Sequence, residues 1–299
     1  MPYRMADCQE LSEMAKTWLI TGCSSGLGHG IAEAVLRRGD RAAVTSRNPD
    51  DLRDFLEKYP EQVILLRLDL NDRSSMGQAV KETLDRFGKI DVLVNNAGHG
   101  YRAAIEESDP VQVAELFETD FFAPMELIRL VLPQMRERKS GQIINISSIG
   151  AVRGAMGNGY YSAAKGALEL ASEALAKEVE HLGIRVMLIE PGAFRTGFYD
   201  HRLQESRQKL ADYDILAEKY RKEYIRNSHN QQGNPEKGGE LIVETAMSEA
   251  PPFRLLLGSD AVKAAQGELE ERLREIHIWK NVSCQSDYQI WEDSRLYRR

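Results

Sequence analysis

The sequence predicts an α/β protein built on a doubly wound sheet of seven mainly parallel strands with helices on both faces. Three observations predict it. Short runs rich in Val, Ile and Leu recur along the chain, as strands buried on both faces require. Amphipathic stretches with helical spacing separate them. A glycine-rich segment joins the first run directly to the first amphipathic stretch. Strict alternation of the two patterns implies parallel strands joined by crossover helices. Ligands on such sheets bind beyond the carboxyl ends of the strands.

The strand-like runs are Lys16–Thr21, Arg41–Ser46, Val63–Leu68, Asp91–Asn95, Gln142–Ser147 and Ile184–Glu190, with a seventh, Phe253–Leu257, much later. In Leu27–Arg38, residues Leu27, Ile31, Ala34 and Val35 fall on one helical face. Val111–Arg138 carries Leu116, Phe117, Met125, Ile128, Leu132 and Met135 near one stripe, with Pro124 expected to kink it. Tyr160–His181 is another long helical pattern. Beyond Gly197 the pattern changes. Phe198–Asn234 is charged, aromatic and helical without an obvious strand, and reads as a lid, within about 194–234, rather than as a domain. Asn227–Lys237, with Gly233 and Pro235, reads as a loop. Asp260–Ile278 reads as an exposed amphipathic helix that either joins an interface or is simply solvated, and Asn281–Arg299 shows no periodicity. The expected division is an N-terminal extension over 1–15, one domain over 16–258, and a C-terminal helix and tail over 259–299. Met5 and Met14 both precede the first strand, which makes the first 13 residues an optional extension.

Apolar residues at 42% supply a core without a disulfide framework, and a net charge of -7 argues against a nucleic-acid partner. Cys8, Cys23 and Cys284 show no pairing or metal spacing, which fits a reducing, cytoplasmic compartment. None of the six histidines stands in a metal-ligand pattern. No apolar run approaches the roughly 20 residues that span a bilayer. Met1–Ala15 lacks the apolar stretch of a secretory signal.

The first strand ends in Thr21-Gly22-Cys23-Ser24-Ser25-Gly26-Leu27-Gly28, and a helix follows at once. Glycines let a backbone approach a pyrophosphate, whose charge the helix N-terminus stabilises. A glycine turn that serves only packing is the alternative. The second strand ends at Ser46-Arg47, where a site for NAD needs a carboxylate. Arg47 instead suits a 2′-phosphate, so NADP is the expected cofactor. Asp69, after the third strand, either hydrogen-bonds an adenine amino group or caps the next helix.

Tyr161 and Lys165 are spaced i, i+4 on a predicted helix and share one face. A phenol ionises only near pH 10, and an ammonium beside it favours the phenolate. Ser148 lies 13 residues before Tyr161, at the end of a buried strand, where its hydroxyl can donate to an oxygen that gains negative charge. Neighbouring Ser147 competes for that role.

In order, Thr21–Gly28, Asn95-Asn96-Ala97-Gly98, Ile144–Ser148, Tyr161-Ser162-Ala163-Ala164-Lys165 and Pro191-Gly192 with Thr196 resemble the classical short-chain dehydrogenase/reductase family. The resemblance covers about Lys16 to Gly197, more loosely to Leu257, and the flanking sequence is similar to a microbial branch near hydroxysteroid and retinol dehydrogenases. It implies a Rossmann-type fold and a homodimer or homotetramer formed through the helices near Val111–Arg138 and Tyr160–His181. It implies Tyr161 as general acid or base, Lys165 as its modulator and ribose ligand, and Ser148 as the group that polarises the carbonyl. Asn95 supports the central strand in this scheme. Gly22, Ser24, Ser25, Gly26, Leu27, Gly28, Ser46, Arg47, Asp69 and Leu70 are implied to bind cofactor, as are Asn96, Ala97, Gly98, Pro191, Gly192 and Thr196.

There is one departure. Asp120 stands where the family has an asparagine that holds a water in a proton relay. An ionised carboxylate cannot donate as an amide does, although its charge holds a nearby lysine protonated. His99, Tyr101, Met156, Phe194, Phe198 and Tyr199 suggest an apolar, aromatic cavity for a bulky lipophilic ketone or alcohol, with packing of the lid as the alternative for Phe198 and Tyr199. The leading expectation is an NADP-dependent oxidoreductase acting on a small-molecule carbonyl or alcohol. The second is a nucleotide-sensing binding protein on the same fold, which Asp120 motivates and the intact Tyr161, Lys165 and Ser148 oppose. An epimerase or dehydratase fits the glycine spacing less well.

Overall fold

A computed structural model describes residues 15–199, 203–214 and 229–287. The expected extension before residue 15, part of the expected lid (200–202 and 215–228), the side chain of Tyr199, and the tail after 287 lie outside the described residues.

Seven strands form one parallel sheet: β1 (Thr17–Ile20), β2 (Arg41–Ser46), β3 (Val63–Arg67), β4 (Val92–Asn95), β6 (Gly141–Ile146), β7 (Ile184–Pro191) and β9 (Arg254–Leu257). Their spatial order is β3-β2-β1-β4-β6-β7-β9. The sheet reverses its direction of growth between β1 and β4, and a crevice opens there beyond the strand ends. All seven predicted strands are present, with ends shifted by one residue at most. In β1, Trp18 and Ile20 enter one apolar cluster and Leu19 the other. A strand with a core on each face needs apolar residues at both parities, which is why these strands read as unbroken runs.

The crossover helices are α1 (Gly26–Arg37), α2 (Arg53–Lys58), α3 (Arg73–Phe87), α4 (Pro110–Phe117), α5 (Ala123–Arg138), α6 (Ile149–Val152) and α7 (Gly159–Val179). Between α4 and α5 the chain makes a π-turn, Glu118–Phe122. The distortion expected at Pro124 therefore lies just before it. Pro124 itself sits in the first turn of α5, where a missing N–H costs little.

Three features differ from the sequence reading. A short strand β5 (Gly100–Arg102) pairs in parallel with β8 (Leu203–Glu205), so the segment after Gly197 includes a strand. Phe194 also bridges to Gly233. The expected loop through Lys237 ends earlier, because α8 (Pro235–Ala246) begins inside it. Asn234 accepts from the backbone N–H groups of Glu236 and Lys237, and Pro235 occupies the first turn. The signals that read as a loop are a capped helix start. Finally, α9 (Ser259–Ser283) continues five residues past Ile278. Its first turn belongs to the domain: Asp260 accepts from the backbone N–H of Ala193 at 2.7 Å and from Gln232 at 2.8 Å.

Helices α1 and α8 pack at backbone contact. A Cβ on Gly239 would lie 2.2 Å from the carbonyl carbon of Gly30, and one on Gly30 would lie 2.4 Å from the carbonyl oxygen of Pro235. Gly→Ala inside a helix normally stabilises by up to about 1 kcal/mol. At Gly239 the sign should invert to a loss of roughly 1–3 kcal/mol. In Gly77→Ala, where an added Cβ meets nothing within 4 Å, the normal gain should appear. Denaturant unfolding of both variants checks the contrast, and a stabilised Gly239→Ala would refute it.

Candidate active site

Two cavities meet beyond the ends of β1 and β4 and share Gly98 and His99 in their walls. One, of about 730 Å³, is lined by Gly22, Ser24, Ser46, Arg47, Asp69, Leu70 and Ala97, among others. The other, of about 240 Å³, is lined by Ser25, Gly26, Leu27, Asn96, Ser148, Tyr161, Lys165, Pro191, Gly192 and Thr196, among others.

The glycine turn holds the junction open. Gly22 and Gly26 adopt φ of 73° and 65°, the left-handed region that favours glycine. A Cβ on Gly28 would lie 2.3 Å from both the side-chain nitrogen of Asn96 and the carbonyl oxygen of Gly22. Asn96 donates to the carbonyls of Thr21 and Gly22 at 2.8 and 3.1 Å. The Thr21 hydroxyl accepts from the backbone N–H groups of Asn96 and Ala97. The side chain of Asn96 thus supports the turn, while the turn and the start of α1 form the kind of cradle a pyrophosphate occupies. Arg47 is exposed on the wall of the larger cavity. The Ser46 hydroxyl donates to the Asn48 carbonyl. Asp69 stays on the cavity wall, and Asp72 is the cap of α3, accepting from Ser74 and Ser75. Of the two readings of Asp69, the capping one falls.

Tyr161 and Lys165, one turn apart on α7, are both buried against the smaller cavity. The Lys165 ammonium donates to the Ile146 carbonyl at 3.1 Å and lies 3.3 Å from a carboxylate oxygen of Asp120. The second oxygen of Asp120 accepts from the backbone N–H of His99 at 3.0 Å. Burial pushes the Tyr161 phenol up; Lys165, Ser148 and Arg102 oppose the rise, and Asp120 adds to it. Burial pulls Lys165 down, but Asp120, with smaller help from Tyr161 and Glu169, holds it above the usual lysine range. Ser148 caps α6 and accepts from the Gly150 N–H at 3.0 Å. A Cβ on Gly150 would sit 3.3 Å from the Ser148 hydroxyl and 3.4 Å from the Tyr161 ring, so the three converge. The Ser147 hydroxyl instead donates to Glu169 at 2.6 Å. Of the two serines, Ser148 is the one whose hydroxyl stands beside Tyr161.

Asn95, buried at the end of β4, donates to Asn145 at 2.8 Å, and Asn145 donates to Ser172 of α7 at 2.8 Å. This chain of amides fixes α7 to the two central strands.

A model of the family described as short chain dehydrogenase matches residues 16–207. The chain belongs to this family. It is 36% identical over 277 residues to oxidoreductase BOA17 of Botryotinia fuckeliana, covering 91% of this chain and 100% of that one. It is 38% identical over 244 residues to a 3-ketodihydrosphingosine reductase of Bacteroides thetaiotaomicron, covering 80% and 87%. A solved short-chain dehydrogenase from Streptomyces avermitilis superposes with a TM-score of 0.85 at 40% identity, covering 92% of this chain and all of that one. Short-chain dehydrogenases are oxidoreductases that bind a nicotinamide cofactor.

His99, Met156, Phe194 and Phe198 line the smaller cavity, and the Phe198 ring centroid is 5.8 Å from that of Tyr161. Tyr101 does not line it. Its ring is buried with Ala103, Leu116 and Ala164, and its hydroxyl accepts from the Asp109 N–H at 2.9 Å. Adjacent β5 residues point to opposite sides, so Arg102 takes the cavity wall. Sequence reasoning missed Arg102, Asp260 and Ala264, all of which line the cavity; Asn158, at the end of the expected wall segment Ser148–Asn158, lines it as expected. The acid at the N-terminal end of α9 was the one available signal.

A second set of charges lies behind the serines. Glu190, 3% exposed, is 3.4 Å from Arg254 Nε, which is also 3.9 Å from Glu169. Burial, reinforced by Glu169 and opposed by Arg254, pushes the Glu190 carboxyl up to about 7. Between its ordinary 4.5 and about 7, the folded state holds a proton that the unfolded state has lost, so stability falls as pH rises through this window. Glu190→Gln should therefore be more stable than the wild type at pH 8, by roughly 1–3 kcal/mol, and equal to it near pH 4.5. Denaturant titrations at both pH values check this; a variant weaker at pH 8 would overturn the assignment.

Proposed function

We propose that this short-chain dehydrogenase is an NADP-dependent oxidoreductase that moves a hydride between nicotinamide and a ketone, aldehyde or secondary alcohol, with Tyr161 as general acid in reduction and general base in oxidation. The observation that carries the reading is the convergence of Tyr161, Ser148 and Lys165 on one cavity that joins a glycine-lined cleft. The nicotinamide, when bound, supplies or accepts the hydride.

The chain's own groups handle oxygen and proton. Ser148 and Tyr161 both donate to the substrate oxygen, and Tyr161 releases its proton as negative charge grows there. The phenolate left behind is stabilised by the Lys165 ammonium. Asp120 keeps that ammonium charged but offsets part of its effect on Tyr161. On the cofactor side, Arg47 suits a 2′-phosphate, and the cleft wall at Ser46 carries a hydroxyl where a carboxylate would repel one. A bulky lipophilic substrate is supported by Met156, Phe194 and Phe198 in the cavity wall, and by the relative whose name specifies a long-chain ketone.

Turnover of NADPH with lipophilic ketones, followed by absorbance, tests the proposal. Tyr161→Phe should lower kcat/KM by roughly 10²–10⁴-fold. Arg47→Ser should raise the KM for NADPH by roughly tenfold or more and leave that for NADH nearly unchanged. Faster wild-type turnover with NADH than with NADPH would refute the cofactor assignment. The second reading, a nucleotide sensor, is favoured only by the Asp120–Lys165 pairing. It predicts tight NADPH binding with no turnover across the panel.

Asp120 also makes a pH prediction. Removing its charge removes a contribution that raises the Tyr161 pKa. In Asp120→Asn, the limb of the alcohol-oxidation profile set by Tyr161 ionisation should move to lower pH. An unmoved limb would show that Asp120 does not act on Tyr161 electrostatically.

The proposal extends to a homo-oligomer through α4, α5, the π segment between them and α7, where Val111, Phe122 and Leu170 are exposed, and to a cytoplasmic location. Cys23 is buried, with its thiol pushed up to about 12 by that burial, and Cys284 is an exposed free thiol. No described helix is long and apolar enough to cross a membrane.

A further inference from the structure

Only Ala261 and Ala265 of α9 are buried, and from Leu269 to Asp287 every residue is exposed. A lone helix of that length is marginal in water, because its stability ordinarily comes from a packed apolar face. This one has such a face, and it is bare. Val262, Leu269, Leu273 and Ile276 are all about half exposed or more. At about 100° per residue they fall within an arc of about 60°. Arg272 reaches back to Glu268 and to the carbonyl of Val152, so the base of the helix is tied to the domain while the stripe faces solvent.

The charges are split along the helix. Asp260, Glu268, Glu270 and Glu271 dominate its first half, with Lys263 their one cation. Arg272, Arg274 and Lys280 dominate the second, with Glu275 their one carboxylate. A parallel pair of such helices would set like charges side by side. An antiparallel pair centred near Glu271 sets each acidic half against the partner's basic half. Glu270 and Arg274 lie on the same flank of the stripe, so each glutamate would meet the other copy's arginine. This arrangement has a two-fold axis, as a closed dimer interface requires. A membrane surface fits less well: helices that lie on membranes carry polar faces rich in Lys and Arg, and here five acids face four bases.

We propose that α9 is a self-association helix that pairs antiparallel with α9 of a second copy of this chain, burying the stripe of Val262, Leu269, Leu273 and Ile276. This seam is separate from the faces of α4, α5 and α7.

Mass measured by light scattering on the full chain tests it. Leu269→Glu combined with Leu273→Glu should halve the mass of the assembly, with the far-ultraviolet spectrum of the domain preserved. Glu270→Arg or Arg274→Glu alone should weaken association at least tenfold, and the two together should restore it. Direction is read by oxidative cross-linking. In the antiparallel pair the two Cys284 thiols stand about 39 Å apart along the axis (13 residues on either side of the centre, at 1.5 Å each). Wild-type Cys284 should therefore not cross-link within the pair. Leu269 faces the partner's Leu273 at the same level of the stripe, so a mixture of Leu269→Cys and Leu273→Cys chains, both in a Cys284→Ser background, should cross-link to each other. A mass unchanged by the double leucine variant would overturn the proposal. So would cross-linking through Cys284 in place of the mixed 269–273 pair, or a monomeric wild type that sediments with phosphatidylcholine/phosphatidylglycerol vesicles.

Discussion

The contact between Lys165 and Asp120 constrains more of this molecule than any other. Both groups are buried, and an ammonium taken out of water is costly unless charge and hydrogen bonds replace its hydration. Asp120 supplies the charge and the Ile146 carbonyl a hydrogen bond. Those two partners come from the π-turn before α5 and from the end of β6, so the position of one ammonium ties three elements together. The carboxylate also fixes the chain after β4, through the backbone N–H of His99. A Cβ on Gly98 would lie 3.0 Å from Asp120 and 3.4 Å from the Lys165 nitrogen. The pair thus leaves little room for a side chain at the residue where the two cavities meet.

Around that pair, α7 acts as the spine of the site. Tyr161, Lys165 and Glu169 follow one another at single-turn intervals, and Ser172 lies one turn after Leu168. Glu169 receives the Ser147 hydroxyl, and Ser172 receives the amide of Asn145. Each link joins the helix to β6, so the helix cannot shift along the sheet without breaking several buried hydrogen bonds. Ser148, at the end of the same strand, inherits that precision. The electrostatic outcome differs from a simple pairing of tyrosine with lysine. A lysine alone favours the phenolate, but in this site burial and Asp120 outweigh it and the phenol is pushed up. The departure at Asp120 therefore acts first on charge, whatever it does to a proton relay.

The sheet was legible in the sequence because its strands are buried on both faces, which leaves unbroken apolar runs. The placement of the candidate site was legible because it sits at strand ends and on one helix face, where spacing in sequence becomes spacing in space. Tyr161, Lys165 and Ser148 came together as their spacing implied. What escaped lies where tertiary contacts decide. In β5, three residues long, Arg102 rather than the expected Tyr101 reaches the cavity, because parity in so short a strand has no pattern to fix it. Helix α8 was hidden by Asn234, Pro235, Gly238 and Gly239, which signal loops in isolation and here serve a cap and a backbone contact. The choice between Ser147 and Ser148 rested on Glu169, a partner 22 residues away from Ser147.

The two halves of the candidate site are built differently, and on the proposed reading the difference bears on how substrate choice is set. The cofactor half is made of strand ends, a glycine turn and amide hydrogen bonds, all anchored in the two main cores. The substrate half draws its walls from the segment after β6, from Phe194 and Phe198, and from the first turn of α9. Asp260 of that turn holds the Ala193 N–H at 2.7 Å, one residue from Phe194. The helix that closes the pocket is therefore the same rigid element that carries the bare stripe some three turns further on. One continuous helix thus connects the exposed part of α9 to Asp260, and through its hydrogen bond to the loop that bears Phe194. Pairing of α9 between two copies would then act on the substrate wall while leaving the Tyr161–Lys165–Ser148 geometry, anchored to β6 and α7, untouched.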